Sequence, residues 1–274
     1  MHKVALFNGK IVETAEALIP AMSAAAMYGR GVFTTIAVYD GEPFLIDKHW
    51  RRLGDNAKKL GINIEVSFKQ IESWLRQLLE ANGEADCRAR VTLFDSASAS
   101  LWTETSVAGT DVLIVTRETR EVPTEFRLNV SKFPINSNSP LAGVKSCNYL
   151  EHLIAYEDAK RRGFDETIRL NERGEVTSAA MANIFWLCGD QLFTPSLETG
   201  CLAGTTREFI LENLDVREVC VGSDELQSAR AVFLSSSGIG IRQVQSIDNK
   251  QFDPVDHAIL HLLPPNTKTR MSAR

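Results

Sequence analysis

The stretch Gly143-Val144-Lys145-Ser146-Cys147-Asn148-Tyr149-Leu150 decides the reading of this chain. It carries a lysine on a short apolar approach, directly ahead of a helical pattern. Lysines normally sit in water. A desolvated lysine gives up its charge readily and then attacks aldehydes. Lys145 is therefore a candidate Schiff-base nucleophile. Taken alone, a surface lysine at a strand end is the commoner outcome, because the chain has many lysines.

Downstream, Leu150, Leu153 and Ile154 recur at helical spacing and predict a helix over 149–162. Asn148 is the expected cap, and Glu151 three residues on resembles a capping box. Lys160, Arg161 and Arg162 fall at the end of that helix, where cations complement its dipole. The rest of this half predicts strands at 126–133, 167–170, 183–187, 191–194 and 231–235, with a helix over 205–214. Upstream, a strand at 4–8 runs into the Asn8-Gly9 turn, and Asp40-Gly41 joins a hairpin of 31–39 and 43–46. Helices are expected over 47–60, capped by Asp47, and over 68–81. Strands at 88–94 and 111–117 should pair. This irregular alternation predicts an α+β protein of two domains, 1–118 and 126–274, joined by a polar linker at 119–125 that contains Pro123.

Composition sets outer limits. The 274 residues are 44% hydrophobic and 24% charged, with a net charge of −5, as expected for a globular protein with a full core. No Lys/Arg run is long enough for a nucleic-acid footprint. The most apolar early stretch, 17–27, contains Pro20 and is too short to span a bilayer. Five scattered cysteines with no C-x-x-C pair predict reduced thiols and a cytoplasmic protein. No metal site is expected, since the histidines make no ligand-spaced set with the cysteines.

Three places could hold a phosphate. Gly204-Thr205-Thr206 opens a helix, so free N–H groups and two hydroxyls meet the positive end of a dipole. Ser235-Ser236-Ser237-Gly238 follows a strand and offers a second nest of hydroxyls and amides. Arg52 could supply a bidentate cation. Gly238-Ile239-Gly240 lacks the third glycine of a dinucleotide fingerprint.

Together these residues resemble the class IV aminotransferases, the fold type IV group of pyridoxal-phosphate enzymes. The resemblance rests on Lys145-Ser-Cys-Asn148-Tyr149-Leu150, Val176-Thr177 followed by Asn183-Ile184-Phe185, Leu192-Phe193-Thr194-Pro195 and Gly204-Thr205-Thr206-Arg207. Phe7-Asn8-Gly9, Tyr28-Gly29 with Phe33, and His49-x-x-Arg52-Leu53 extend it over nearly the whole chain. It implies two α/β domains, the C-terminal one larger and carrying the Schiff-base lysine, with pyridoxal 5'-phosphate between them in a homodimer. Lys145 would bind the cofactor and move the proton at the substrate's Cα. Arg52, Thr205, Thr206 and Ser237 would hold the phosphate, and Tyr149 would lie near the phenolate oxygen. Tyr28, Arg30, Thr35, Arg88 and Arg90 are the candidates for binding a small amino substrate. Arg88 and Arg90 share one strand face, which could equally be a solvated one.

The chain departs from the pattern at one decisive place. Relatives carry a glutamate in a V-x-E segment, and that carboxylate keeps the pyridine nitrogen protonated. Here Val176-Thr177 is followed by Ser178. A hydroxyl cannot compensate a positive charge as a carboxylate does, so a weaker electron sink is expected. Glu175 and Glu172 are the nearby carboxylates, and strand alternation gives no reason to prefer either. Relatives also often have an arginine where Ala37 stands. Phe33-Thr34-Thr35 resembles the 4-amino-4-deoxychorismate lyases more than the Phe-Glu-Gly of branched-chain aminotransferases. A lyase gains driving force from aromatisation and tolerates the weaker sink. A transaminase, for branched-chain or D-amino acids, and a non-catalytic cofactor-binding protein are the alternatives.

Overall fold

The computed structural model describes residues 1–97, 109–119, 121–123 and 126–264. The chain divides into two compact units, one drawn from Met1–Arg120 with Val144–Asn148, the other from Glu121–Gly143 with Tyr149–Pro265. Lys145, expected with the C-terminal half, thus sits in a segment that packs with the first unit. Part of the expected linker at 119–125 lies outside the described residues.

The first unit is an antiparallel sheet in the order β2-β1-β6-β5-β3-β4. Its strands are β1 (Val4–Phe7), β2 (Lys10–Glu13), β3 (Gly31–Tyr39), β4 (Glu42–Pro43), β5 (Cys87–Asp95) and β6 (Thr110–Glu118). The hairpin expected at Asp40-Gly41 is present: both residues have positive φ, 50° and 79°, as the right-handed strand twist requires of a two-residue turn. Short helix α1 (Ala24–Tyr28) precedes β3, and α2 (Ile46–Lys59) and α3 (Phe68–Asn82) cover the sheet. Leu53 and Ala57 of α2 and Ile71, Leu75 and Leu78 of α3 join Val32, Ile36, Val91 and Ile114 in one core. α3 carries a full capping box between Ser67 and Gln70. Asp47 does not cap α2: Leu45, in the left-handed region at φ 55°, holds the N-cap position, and Asp47 falls in the first turn.

The second unit is a mixed sheet, ordered β12-β11-β10-β13-β14-β7-β8-β9 with β15 beside β14. Its strands are β7 (Phe126–Val130), β8 (Glu166–Leu170), β9 (Val176–Ala179), β10 (Asn183–Cys188), β11 (Gln191–Pro195), β12 (Val216–Val219), β13 (Ala231–Ser236), β14 (Gly240–Ile247) and β15 (Lys250–Gln251). The helices are α4 (Leu150–Arg161), α5 (Thr205–Asn213) and α6 (Asp224–Ser228). Two apolar clusters fill the sheet's faces, one around Trp186, Val232 and Leu234, the other around Phe185, Phe233 and Ile210.

The expectation for α4 is corrected twice. Tyr149 stands at its N-cap and no side chain caps it, while Glu151 turns away to Arg169. Its buried residues are Ala155 and Ala159, whereas Leu150, Leu153 and Ile154 remain 63%, 41% and 41% exposed. The helix seats on β8 through its small side chains. Among the described residues no helix is long and apolar enough to cross a membrane, no group of ligands could hold a metal, and all five cysteines are free.

Candidate active site

In the first unit, residues 145–147 run alongside β3. Phe33 N–H donates to the Lys145 carbonyl at 2.9 Å, and Cys147 N–H donates to the Gly31 carbonyl at 2.8 Å. This close approach explains the glycines of the Tyr28-Gly29-Arg30-Gly31 motif. A Cβ on Gly31 would lie 2.9 Å from the Leu93 carbonyl and 3.0 Å from the Cys147 sulfur. Gly29 ends α1 in the left-handed region, at φ 65°.

Lys145 is partly buried. Its Nζ lies 4.6 Å from the centre of the Phe33 ring. Burial pulls the amine down to about 7, and Arg52 and Arg90 add to the effect. The amine therefore loses its charge as pH rises through neutrality and is largely uncharged above it, the form that acts as a nucleophile. Arg90 stacks on the same ring, its guanidinium carbon 3.6 Å from the centre, and Nε donates to the Thr92 hydroxyl at 3.2 Å. Thr35 is the direct cross-strand partner of Arg90, so the two share a face.

A second group lies on α2. His49 and Arg52, three residues apart, project from one side of the helix. Arg52 Nη2 donates to the Thr34 hydroxyl at 2.8 Å, and that oxygen is 2.6 Å from His49 Nδ1. Arginine offers only donors, so the Thr34 hydroxyl accepts from Arg52 and links it to the imidazole. His49 is buried, and burial, with Arg52 and Lys145 nearby, holds its pKa well below the usual value. The imidazole is therefore neutral at neutral pH. Sequence reasoning singled out Arg52 and missed Thr34 and His49, although His49-x-x-Arg52 has the spacing of one helix face.

Other candidates are placed elsewhere. Arg30 pairs with Asp95 at 3.0 Å and donates to the Leu60 and Gly61 carbonyls, a set of contacts that tethers the start of β3. Arg88 is 2% exposed; it donates to the Cys87 carbonyl and stacks on Tyr39. The face of Arg88 and Arg90 is not a solvated one. Tyr28, 41% exposed, ends α1.

In the second unit, α5 begins at Gly204, which has no side chain to cap it, with Thr205 and Thr206 buried in the first turn. Asn183 crosses close beneath, its Nδ2 donating to the Leu202 carbonyl at 2.9 Å. A Cβ on Gly204 would lie 2.0 Å from Asn183 Oδ1. Gly204→Ala is expected to displace that amide, shift the start of α5 and lower stability by about 1–3 kcal/mol, the usual cost of overpacking; thermal unfolding of the variant checks it. Ser237 lies in the turn between β13 and β14. The Tyr149 ring stacks on His152, centres 4.5 Å apart.

Ser178, 7% exposed, sits on β9 directly opposite Arg169 of β8. Neither alternative carboxylate is at hand. Glu175 is bound by Arg173 and Asn171, both at 2.7 Å. Glu172 accepts from the Ser137 amide and hydroxyl, which hold its carboxyl down to about 2. Glu166 is a buried carboxylate that the sequence reading missed. It accepts from the Thr167, Ala180 and Met181 amides and so pins the turn between β9 and β10. Burial pushes it up to about 7, against the pull of those amides and of Arg169.

The model of the amino-transferase class IV family matches residues 31–247. The aminodeoxychorismate lyase of Bacillus subtilis (strain 168) is 34% identical over 212 residues, covering 75% of this chain and 72% of that protein. The branched-chain-amino-acid aminotransferase of Escherichia coli (strain K12) is 27% identical over 262 residues, covering 89% and 85%. The solved branched-chain aminotransferase of Thermoproteus uzoniensis superposes with a TM-score of 0.88 at 25% identity, covering 96% of this chain and 92% of that one. The fold type IV architecture, the family model spanning most of the chain and the lyase relative agree: this chain is an enzyme of the class IV aminotransferase family.

Proposed function

We propose that the protein is a pyridoxal-phosphate enzyme of the 4-amino-4-deoxychorismate lyase type, with Lys145 as its Schiff-base lysine. The observation that carries the cofactor reading is the Lys145 amine, partly buried beside Arg52 and Arg90 and brought down to about 7. The residues present fit the cofactor. An uncapped helix start at Gly204, where a Cβ would overlap Asn183, suits a phosphate. Arg52, Thr205, Thr206 and Ser237 would supply cation and hydroxyls to it, Tyr149 would meet the phenolate oxygen, and Ser178 would face the ring nitrogen.

When bound, the cofactor supplies an electron sink for the substrate's Cα. Lys145, neutral when released, takes the Cα proton. Arg90, held flat on Phe33 with Thr35 beside it, is the best placed cation for a substrate carboxylate. Elimination of pyruvate leaves an aromatic ring, and this driving force lessens the demand on the sink. The lyase reading is supported by the 34% identical relative and by Ser178 in place of glutamate. A transaminase acting on branched-chain or D-amino acids is the alternative, supported by the longer span of the aminotransferase match. In the proposed homodimer, a second copy would cover the exposed Leu150, Leu153 and Ile154 of α4.

The deciding experiment supplies the cofactor-loaded protein with 4-amino-4-deoxychorismate and, separately, with a panel of L- and D-amino acids. Release of pyruvate and 4-aminobenzoate, with little conversion to pyridoxamine phosphate by any amino acid, is the expected result. Rapid conversion by one amino acid, with no pyruvate or 4-aminobenzoate formed from 4-amino-4-deoxychorismate, makes the protein a transaminase and reveals the handedness of its donor.

A further inference from the structure

Arg169 lies between Ile168 and Leu170 on β8, and its side chain is fully buried. In the β8–β9 pairing it stands directly across from Ser178, so both side chains project from the same face of the sheet. Nε donates to the Phe133 carbonyl at 2.8 Å, and Nη2 donates to the Pro134 carbonyl at 3.2 Å and the Glu151 carboxylate at 2.6 Å. Nη1 is buried and meets no hydrogen-bond acceptor among the described residues. Its ion-pair partner, Glu151, is 62% exposed and meets Nη2, not Nη1, and the oxygens of Glu166 already accept from three backbone amides. A buried guanidinium with a donor left over is costly, unless a bound molecule supplies the missing acceptor.

We propose that Arg169 Nη1 donates to the pyridine nitrogen of the cofactor beside Ser178 and holds that nitrogen unprotonated. This rests on the cofactor reading above and on Ser178 facing the ring. A guanidinium has donors only, and so has a protonated pyridine nitrogen. The two match only when the ring nitrogen is the acceptor, and a fixed positive charge beside it opposes its protonation. The family's arrangement is thereby inverted: where relatives place an anion that keeps the ring cationic, this chain places a cation that keeps it neutral. The ring then withdraws electrons less strongly from Cα. Arg169 and Ser178 together become the pair that selects against transamination and leaves an elimination driven by its own product.

The test loads the full-length protein with pyridoxal phosphate labelled with ¹⁵N in the ring and follows the ¹⁵N chemical shift as pH is lowered from basic to mildly acidic. In the wild type the resonance is expected at the unprotonated position throughout. In Arg169→Leu, checked by circular dichroism for folding, it should move to the protonated position on acidification. Ser178→Glu alone should stay unprotonated, because the new carboxylate pairs with Arg169. The double variant Arg169→Leu/Ser178→Glu should be protonated even at neutral pH. A protonated nitrogen in the wild type overturns the proposal without needing any variant, as does a folded Arg169→Leu that titrates like the wild type. Failure of the wild type to retain labelled cofactor, with no absorbance band of lysine-bound cofactor, removes the cofactor reading itself and this inference with it.

Discussion

Lys145→Ala is expected to lower turnover by at least about 10⁴-fold, because one amine serves as both nucleophile and proton carrier. The variant should remain folded. Lys145 contributes its backbone to β3 through the Phe33 amide, and alanine keeps that bond. Removing the amine also relieves the crowding of positive charge around Arg52 and Arg90. The absorbance band of lysine-bound cofactor should be missing from the variant at every pH. In the wild type the rate of cofactor loading should rise as pH increases through about 7, where the amine loses its proton, and level off above it. Stopped-flow absorbance after mixing with pyridoxal phosphate gives both results. Turnover close to wild type in the variant would mean that another amine carries the chemistry.

Arg52→Ala should weaken cofactor binding by roughly 10–100-fold, the worth of a hydrogen-bonded contact between a fixed cation and a phosphate. The same change withdraws the donor that orients Thr34. His49 would then lose one of the cations that depress its pKa, so its pKa should rise, though burial keeps it below the usual value. Equilibrium titration with the cofactor, followed by absorbance, measures the affinity. Arg51→Ala is the control: it removes an exposed cation one residue earlier on the same helix and should leave affinity unchanged. Equal affinities for the two variants would place Arg52 outside the phosphate site and reduce it to a support for Thr34.

The longer helices, the Asp40-Gly41 hairpin and the family motifs were legible because each leaves a local mark. Asp40-Gly41 carries the positive φ values of a tight turn. α3 shows both its capping box and its closing glycine. β14 was not foreseen, and its pattern explains why: the register shifts between Val244 and Ser246, and such a bulge breaks the period-two alternation by which a strand is read. α4 misled in the opposite way. Its leucines and isoleucine have helical spacing, yet the face that meets β8 is lined by Ala155 and Ala159. Periodicity finds a helix, but which stripe is buried depends on the partner surface.

The sequence by itself determined the family, the candidate lysine and the serine at the third place of the V-x-E segment, since each is a matter of residue type at a spacing. Only the tertiary structure decided what surrounds them. Arg30 and Arg52 look alike in sequence, but one is tied to Asp95 and two carbonyls while the other reaches Thr34. Arg88 and Arg90 differ by two positions, yet one is buried against Tyr39 and the other lies on Phe33 near Lys145. Arg169 and Ser178 stand opposite each other although nine positions separate them along the chain. The physical reason is common to all three cases: what a charge does depends on burial and on the nearest acceptor, and pairing between strands and packing against helices decide both.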